Sequence, residues 1–188
     1  MLALGIDIGT SGVRTAVLDR QGQVLSTART THFDNSGTQA RAWWDAVAVA
    51  ITAQVDNLIA AGIDPHQIKR AAIDGTSGSI VLVDDQLNPV TPALMYNSSG
   101  FTDEAALIDK HAEPTSITRG SSSSLARMLR LQAMDKMAQA AHLLHQADYA
   151  LAMLAGKPMG SDDNNALKLG WDPHARCWPD WFEKAGVR

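Results

Sequence analysis

The sequence predicts an α/β fold: a three-stranded antiparallel meander leading into α/β crossovers. Three observations carry this. Apolar runs at Leu2 to Ile8, Val13 to Leu18 and Val24 to Thr31 are separated only by the short turns Gly9-Thr10-Ser11-Gly12 and Asp19-Arg20-Gln21-Gly22. The period then switches to helical spacing at Trp44, Val47, Ile51, Val55, Leu58 and Ile59. Beyond Gly62 and Pro65, which stop that helix, Arg70 to Asp74 returns to strand.

The remaining elements follow in order. Ile80 to Val83 reads as a strand and Pro92 to Tyr96 as a short one. Thr102 to Lys110 reads as a helix with Thr102 as its N-cap. Leu125 to Ala155, rich in Ala, Leu and Met, holds two helices, ended by Gly156-Lys157-Pro158. Ser161 to Asn165 is a polar loop, and Pro179 to Ala185 a last short helix. The resulting β-β-β-α-β order resembles the ribonuclease-H-like fold of the actin and sugar-kinase ATPases. It differs from a dinucleotide-binding unit, which begins strand–helix–strand.

Composition narrows the function classes. At 188 residues and 45% apolar content, the chain can bury a real core. A formal charge of −4, with scattered Lys and Arg, argues for neither nucleic acid nor a membrane surface. Met1 leads directly into strand without a basic stretch or cleavage motif, and the expectation is a cytoplasmic protein. Cys177 is the sole cysteine, so no intrachain disulfide forms, and a reducing compartment suits it. The six histidines make no HExxH pair, which speaks against a structural zinc site.

The chemistry concentrates in GIDIGTSGVRTAVLD, residues 5 to 19. It has neither the lysine nor the following helix of GxxxxGK[ST], and no GxGxxG. A strand–turn–strand still binds phosphate when successive backbone amides form a concave site. Thr10 and Ser11 add hydroxyl donors, Gly9 and Gly12 permit close approach, and Arg14 adds positive charge. Asp7, ending the first strand, is a candidate magnesium ligand. The competing reading is a plain hairpin turn, with Asp7 bonding turn amides. AIDGTSGSIVLVDD, residues 72 to 85, echoes the opening segment. Two such turns can serve a phosphate donor and an acceptor.

GIDIGTSGVRTAVLD, followed by RAWWDAV, AAIDGTSGSIVLVD, PALMYN, GSSSSLARMLRLQ and HQADYALAMLAGKPMGSDDNNALKLGWD, resembles the FGGY carbohydrate kinases over nearly the whole chain. DGTSG with SDDNNALKLGWD looks most like the D-ribulose kinase branch. Glycerol kinases carry charged groups, and xylulose kinases a Met-His pair, where this chain has Thr76-Ser77. The resemblance implies an ATP- and magnesium-dependent kinase of a small sugar, a pentulose such as D-ribulose, with residues 1–188 as the N-terminal lobe. It implies Asp7 for the magnesium–nucleotide complex, and Thr10, Ser11, Gly12 and Arg14 for the ATP phosphates. Thr76, Ser77 and Ser121 would face the sugar. Family members are more than twice this long, so the catalytic base, an aspartate, and the adenine pocket are expected beyond residue 188. Neither nucleic acid nor membrane is an expected partner, and a homodimer is left open.

One departure matters. Relatives read aromatic-Asn-Asp-x-Arg where this chain has Tyr96-Asn97-Ser98-Ser99-Gly100, so an aspartate and an arginine are missing at the sugar side. This motivates an alternative, a non-catalytic ligand-binding or regulatory domain of the same fold. A third reading, an actin-like or Hsp70-like ATPase, shares the phosphate loop but lacks the sugar-side motifs. Elsewhere structural roles are expected. Trp44 should join the core face of its helix rather than stack on sugar with Trp43. Asp162, Asn164 and Asn165 should cap or brace a loop. Met128, Met134 and Met137 should fill the core. His142 and His145, spaced one helical turn apart, lack a third metal ligand.

Overall fold

The computed structural model describes residues 1–31 and 38–188, and the chain forms two compact units, Met1–Thr76 and Ser77–Arg188. In the first, β1 (Leu2–Ile8), β2 (Gly12–Leu18) and β3 (Val24–Thr31) form the antiparallel meander, and β4 (Ile68–Gly75) joins β1 in parallel. The sheet order is β3-β2-β1-β4. Alternation along the strands gives the sheet two different faces. Leu4, Ile6, Ile8, Val13 and Val17 are buried on one. Asp7, Arg14 and Arg29 are exposed on the other.

Helix α1 (Ala40–Ala60) lies against β2 and β3, and its buried stripe differs from the expected one. Trp43, Ala46, Val47, Ala50, Gln54 and Leu58 face inward. Trp44 is half-buried, and Ile59 is 61% exposed. Alanines at 46 and 50 let the helix axis approach the sheet closely, which a stripe of larger residues would prevent. Gln54 is tolerated in this stripe because its amide is satisfied on both sides. Thr15 Oγ1 donates to Gln54 Oε1 at 2.9 Å, and Gln54 Nε2 donates to Ser26 Oγ at 2.6 Å. The helix ends as expected at Gly62, which takes a left-handed φ of 72° while Ile63 N donates to Leu58 O at 2.9 Å.

In the second unit, β5 (Ile80–Val83) pairs antiparallel with β6 (His142–His145). The strand expected at Pro92 to Tyr96 is reduced to one isolated bridge, Ile80 with Leu94, and a second bridge, Val83 with Pro89, lies just before it. Prolines 89 and 92 remove amide donors from residues 89–96 and limit their pairing. Helices α2 (Thr102–Asp109) and α3 (Ser124–Met134) pack together around Phe101, Ile108, Leu125, Leu129 and Leu131. Arg130 joins them through a two-pronged pair with Glu104, its Nη2 at 3.0 Å from Oε2. The N-cap of α2 is Phe101 rather than Thr102, and no side chain caps it.

Helix α4 (Gln146–Ala155) ends at Gly156, again left-handed at φ 69°. Leu125 to Ala155 thus holds two helices, with the unforeseen strand β6 between them. A four-residue strand is too short for periodicity to separate from helix. Asp162 N-caps a further short helix, α5 (Asp163–Leu167), within the expected polar loop. The final helix shrinks to one 3-10 turn, Glu183–Ala185. Trp181, Phe182 and Val187 pack on the core there, and Phe182 meets Trp178 and Trp181 at ring distances of 5.6 and 5.2 Å. No helix among the described residues is long and apolar enough to cross a membrane.

Candidate active site

The turn between β1 and β2 is short and fixed. Gly9 N donates to Gly12 O at 2.9 Å, which closes it. Gly12 cannot be another residue without movement, because a Cβ there would collide with the Thr30 carbonyl oxygen of β3. The tight turn leaves Thr10 and Ser11 exposed at its tip.

Asp7 and Arg14 flank the turn on adjacent strands as a cross-strand pair. Arg14 Nη1 lies 3.3 Å from Asp7 Oδ2, with the side chains 70% and 52% exposed. An exposed pair of this kind adds at most about 1 kcal/mol to stability. Both groups are therefore available to a ligand at small cost. The parallel register sets Asp74 of β4 beside Asp7, and the antiparallel register sets Arg29 of β3 beside Arg14. One row across the sheet thus reads Asp74, Asp7, Arg14, Arg29. The row below it, Ala72, Gly5, Ala16 and Thr27, is small, and an open hollow of about 860 Å³ lies over this face.

Thr76, in the first unit, is half-buried, and its hydroxyl donates to Ile8 O at 3.4 Å, beside the end of β1. The echo of the opening turn is therefore a spatial neighbour of the first strand, through the parallel pairing of β1 and β4. The structure brings Asp7, Arg14 and Thr76 to one end of this sheet, next to the Thr10-Ser11-Gly12 turn.

Ser77 and Ser121 belong to the second unit. The Ser77 hydroxyl oxygen is buried and has no hydrogen-bond partner among the described residues. Such an orphaned group costs stability unless a ligand or water meets it. Ser121 is half-buried, and its carbonyl accepts from Phe101 N at 3.0 Å.

Sequence reasoning missed Arg127, only 3% exposed. Its Nη1 donates to the carbonyls of Tyr96, Ser98 and Ser122 at 2.9, 3.1 and 2.8 Å, and its Nη2 to Ser124 Oγ at 3.1 Å. A Cβ on Gly78 would stand 3.2 Å from Nη2. Arg127 thereby ties together the departing Tyr96-Asn97-Ser98 segment and the serine run, and lies close against Gly78, the last residue of the DGTSG echo. Its partners are carbonyls and a hydroxyl, and burial pulls its guanidinium below the usual value. The available signal was an arginine inside the apolar run LARML.

Other expectations divide. Asp162 caps α5, accepting from Asn165 N at 2.9 Å and Asn165 Nδ2 at 2.6 Å, as the bracing role required. Trp43, rather than Trp44, is the buried tryptophan of α1. Met128 lies in the core, but Met134 and Met137 are 42% and 79% exposed. His142 and His145 stand on β6, not on a helix, and no cluster of metal-binding side chains occurs among the described residues. Burial lowers His145 to about 4, so it is neutral at pH 7.

Comparison with known proteins bears on the fold and the family. The chain is 25% identical to a xylulose kinase of Klebsiella pneumoniae over 190 residues, 94% of this chain and 38% of the relative. It is 31% identical over 85 residues to a D-ribulokinase of Saccharomyces cerevisiae, 42% of this chain and 12% of that protein. The crystal structure of a xylulose kinase from Brucella ovis superposes with a TM-score of 0.81 at 22% identity, over 100% of this chain and 41% of that one. Plasmodium falciparum glycerol kinase with ADP superposes at 0.79 and 12% identity, over 99% and 41%. The fold is therefore the ribonuclease-H-like fold of the sugar kinases, and this chain spans about 38% of the length of the curated xylulose kinase it matches. A profile described as the N-terminal domain of the FGGY family matches residues 2–159, so the chain belongs to the FGGY family of carbohydrate kinases.

Proposed function

We propose that this chain supplies the phosphate turn and part of the acceptor wall of an ATP-dependent kinase. Its acceptor is a small carbohydrate, a pentulose such as D-ribulose. The observation that supports this most is the Asp7–Arg14 pair beside the closed Gly9–Gly12 turn, exposed on an open sheet face. Thr10, Ser11 and Gly12 offer amides and hydroxyls to the ATP phosphates, and Arg14 offers a guanidinium. The exposed Asp7 carboxylate suits magnesium, which when bound supplies charge neutralisation on the phosphates.

Thr76 and Ser77 present compact neutral hydroxyls to the sugar, and Ser121 is assigned to the same wall. Neutral hydroxyls fit a polyol better than charged groups would, and a site built this way rejects acceptors that leave a buried group unpaired. The orphaned Ser77 hydroxyl is such a group. The general base is assigned to a carboxylate outside residues 1–188.

The test is coupled ADP release by the longest chain the gene encodes, with D-ribulose, D-xylulose and glycerol as acceptors. D-ribulose is expected to give the highest kcat/KM. Glycerol as best acceptor would remove the pentulose assignment, and no sugar-dependent ADP release with any acceptor would remove the kinase reading. Residues 1–188 by themselves are expected to release no ADP, because transfer needs base, phosphate clamp and acceptor held together.

A further inference from the structure

The four charged residues across the first sheet are segregated by sign. Asp74 and Asp7 are neighbours in the parallel register, and Arg14 and Arg29 are neighbours in the antiparallel register. Like charges directly opposite on paired strands repel, and an alternating row would let every charge neutralise its neighbour. Folding gains only the single Asp7–Arg14 pair from the segregated order. An extended ligand with a cation at one end and an anionic chain at the other would match it.

Arg29 is the residue that needs explaining. Asp7 pairs with Arg14 at 3.3 Å, whereas the Arg29 side chain is exposed and makes no ion pair or hydrogen bond among the described residues. Its position is also held. The close packing of Gly12 on the Thr30 carbonyl draws β3 tightly against the turn, next to Arg29 in the chain. Arg14 and Arg29 line both the 860 Å³ hollow over the sheet and a second hollow of about 490 Å³ that reaches Ser11 and Gly12. A phosphate seated on the turn amides would therefore have two guanidinium groups on its flank.

We infer that Arg29 is a second phosphate-binding cation, taking with Arg14 the polyphosphate chain of the nucleotide. This rests on the kinase reading and extends it by one residue. Asp7 occupies one donor of Arg14 and offsets part of its field, while the Arg29 side chain keeps its donors for phosphate oxygens. Two guanidinium forks on adjacent strands grip successive phosphoryl groups of a chain better than they grip one phosphomonoester. The row thus favours a nucleotide tail over a sugar phosphate.

Calorimetric titration of the 188-residue chain tests this, with inorganic tripolyphosphate, Mg·ADP and D-ribulose 5-phosphate as probes. Arg29→Ala should weaken tripolyphosphate and Mg·ADP by about five- to tenfold, the loss of roughly one charge-assisted contact. Arg29→Lys should recover most of that, and D-ribulose 5-phosphate should change less. Arg41→Ala, on α1 and equal in charge change, should leave all three unaltered. The Arg29 variants should melt like the parent, which separates binding from folding. If Arg29→Ala binds within twofold of the parent while Arg14→Ala loses tripolyphosphate, Arg29 has no such role and the kinase reading stands. Equal losses in Arg29→Ala and Arg41→Ala would mean general charge attraction, and would equally overturn the inference. A larger loss for D-ribulose 5-phosphate than for tripolyphosphate would overturn the nucleotide assignment. A parent chain that binds neither tripolyphosphate nor Mg·ADP at millimolar concentration would overturn this inference and the phosphate-turn reading together.

Discussion

The two units handle charge in opposite ways. In Met1–Thr76 the charged row lies on an open sheet face, where Asp7 and Arg14 are more than half exposed. In Ser77–Arg188 the notable polar groups are interior: Arg127 is 3% exposed and His145 2%. An exposed charge costs little to keep and can be handed to a ligand. A buried one must find partners in the protein, as Arg127 does in three carbonyls and a hydroxyl, or stay uncharged, as His145 does. The first unit's exposed charges suit the phosphate-binding role proposed for it. The second uses its arginine to shape the loops proposed as the acceptor wall.

Breaking the first unit's charge should cost turnover without costing the fold. Asp7→Asn in the longest chain the gene encodes should lower kcat by about a thousandfold, roughly 4 kcal/mol of barrier, with sugar affinity and melting temperature little changed. Steady-state kinetics beside a melting curve checks this, and turnover within tenfold of the parent would remove Asp7 from the phosphate machinery.

Breaking the second unit's charge should do the reverse. Arg127→Ala would leave the carbonyls of Tyr96, Ser98 and Ser122 without their donor. A loss of about 3 kcal/mol in urea unfolding is expected, since each buried unpaired acceptor costs about 1–3 kcal/mol and water reaches some of them. Arg127→Lys should recover only part, because an ammonium cannot reach three carbonyls and a hydroxyl in the geometry of a planar fork. Unfolding of the alanine variant within 0.5 kcal/mol of the parent, a margin of ordinary surface substitutions, would show that the network carries no weight.

His145 sharpens the comparison through pH. Burial holds it near 4 when folded, against its ordinary 6.5. Its contribution to stability is therefore complete above pH 6.5, and is lost as pH falls toward 4, because the unfolded chain takes up a proton that the folded chain refuses. Between pH 7 and pH 5 this amounts to about 2 kcal/mol. Asp148 acts in the opposite sense: burial raises its carboxyl, so its contribution is lost as pH rises through the folded value. Denaturant unfolding at both pH values, on the parent and on His145→Gln, isolates the histidine. An equal pH slope in the two proteins would sink the assignment. The smallest expected effect is at Asp162, where replacement by Ala removes one helix cap and should cost about 1 kcal/mol, read from the same unfolding curves.

Local chemistry on neighbouring residues was legible in the sequence. The meander, the closing of the Gly9–Gly12 turn, the left-handed glycines at 62 and 156, and the bracing role of Asp162 all depend on short-range sterics and hydrogen bonds. Glycine spacing and strand alternation encode these directly. Cross-strand register is also partly local, because a tight turn fixes which residues face each other. Asp7 opposite Arg14 follows from a four-residue turn.

Tertiary structure decided the rest, for reasons of distance along the chain. Whether α1 presents Trp43 or Trp44 depends on how closely the helix sits on the sheet, and small alanines, silent in an apolar pattern, settled it. Asp74 entered the charged row through a parallel pairing closed across a whole helix, and Arg29 through a hairpin whose register is shifted by an irregularity at Val17 and Leu18. Arg127 looked like an ordinary surface residue of an amphipathic helix. Its three carbonyl partners come from segments as far as 31 residues away, and only packing could turn them toward one guanidinium and exclude the water that would otherwise compete for it.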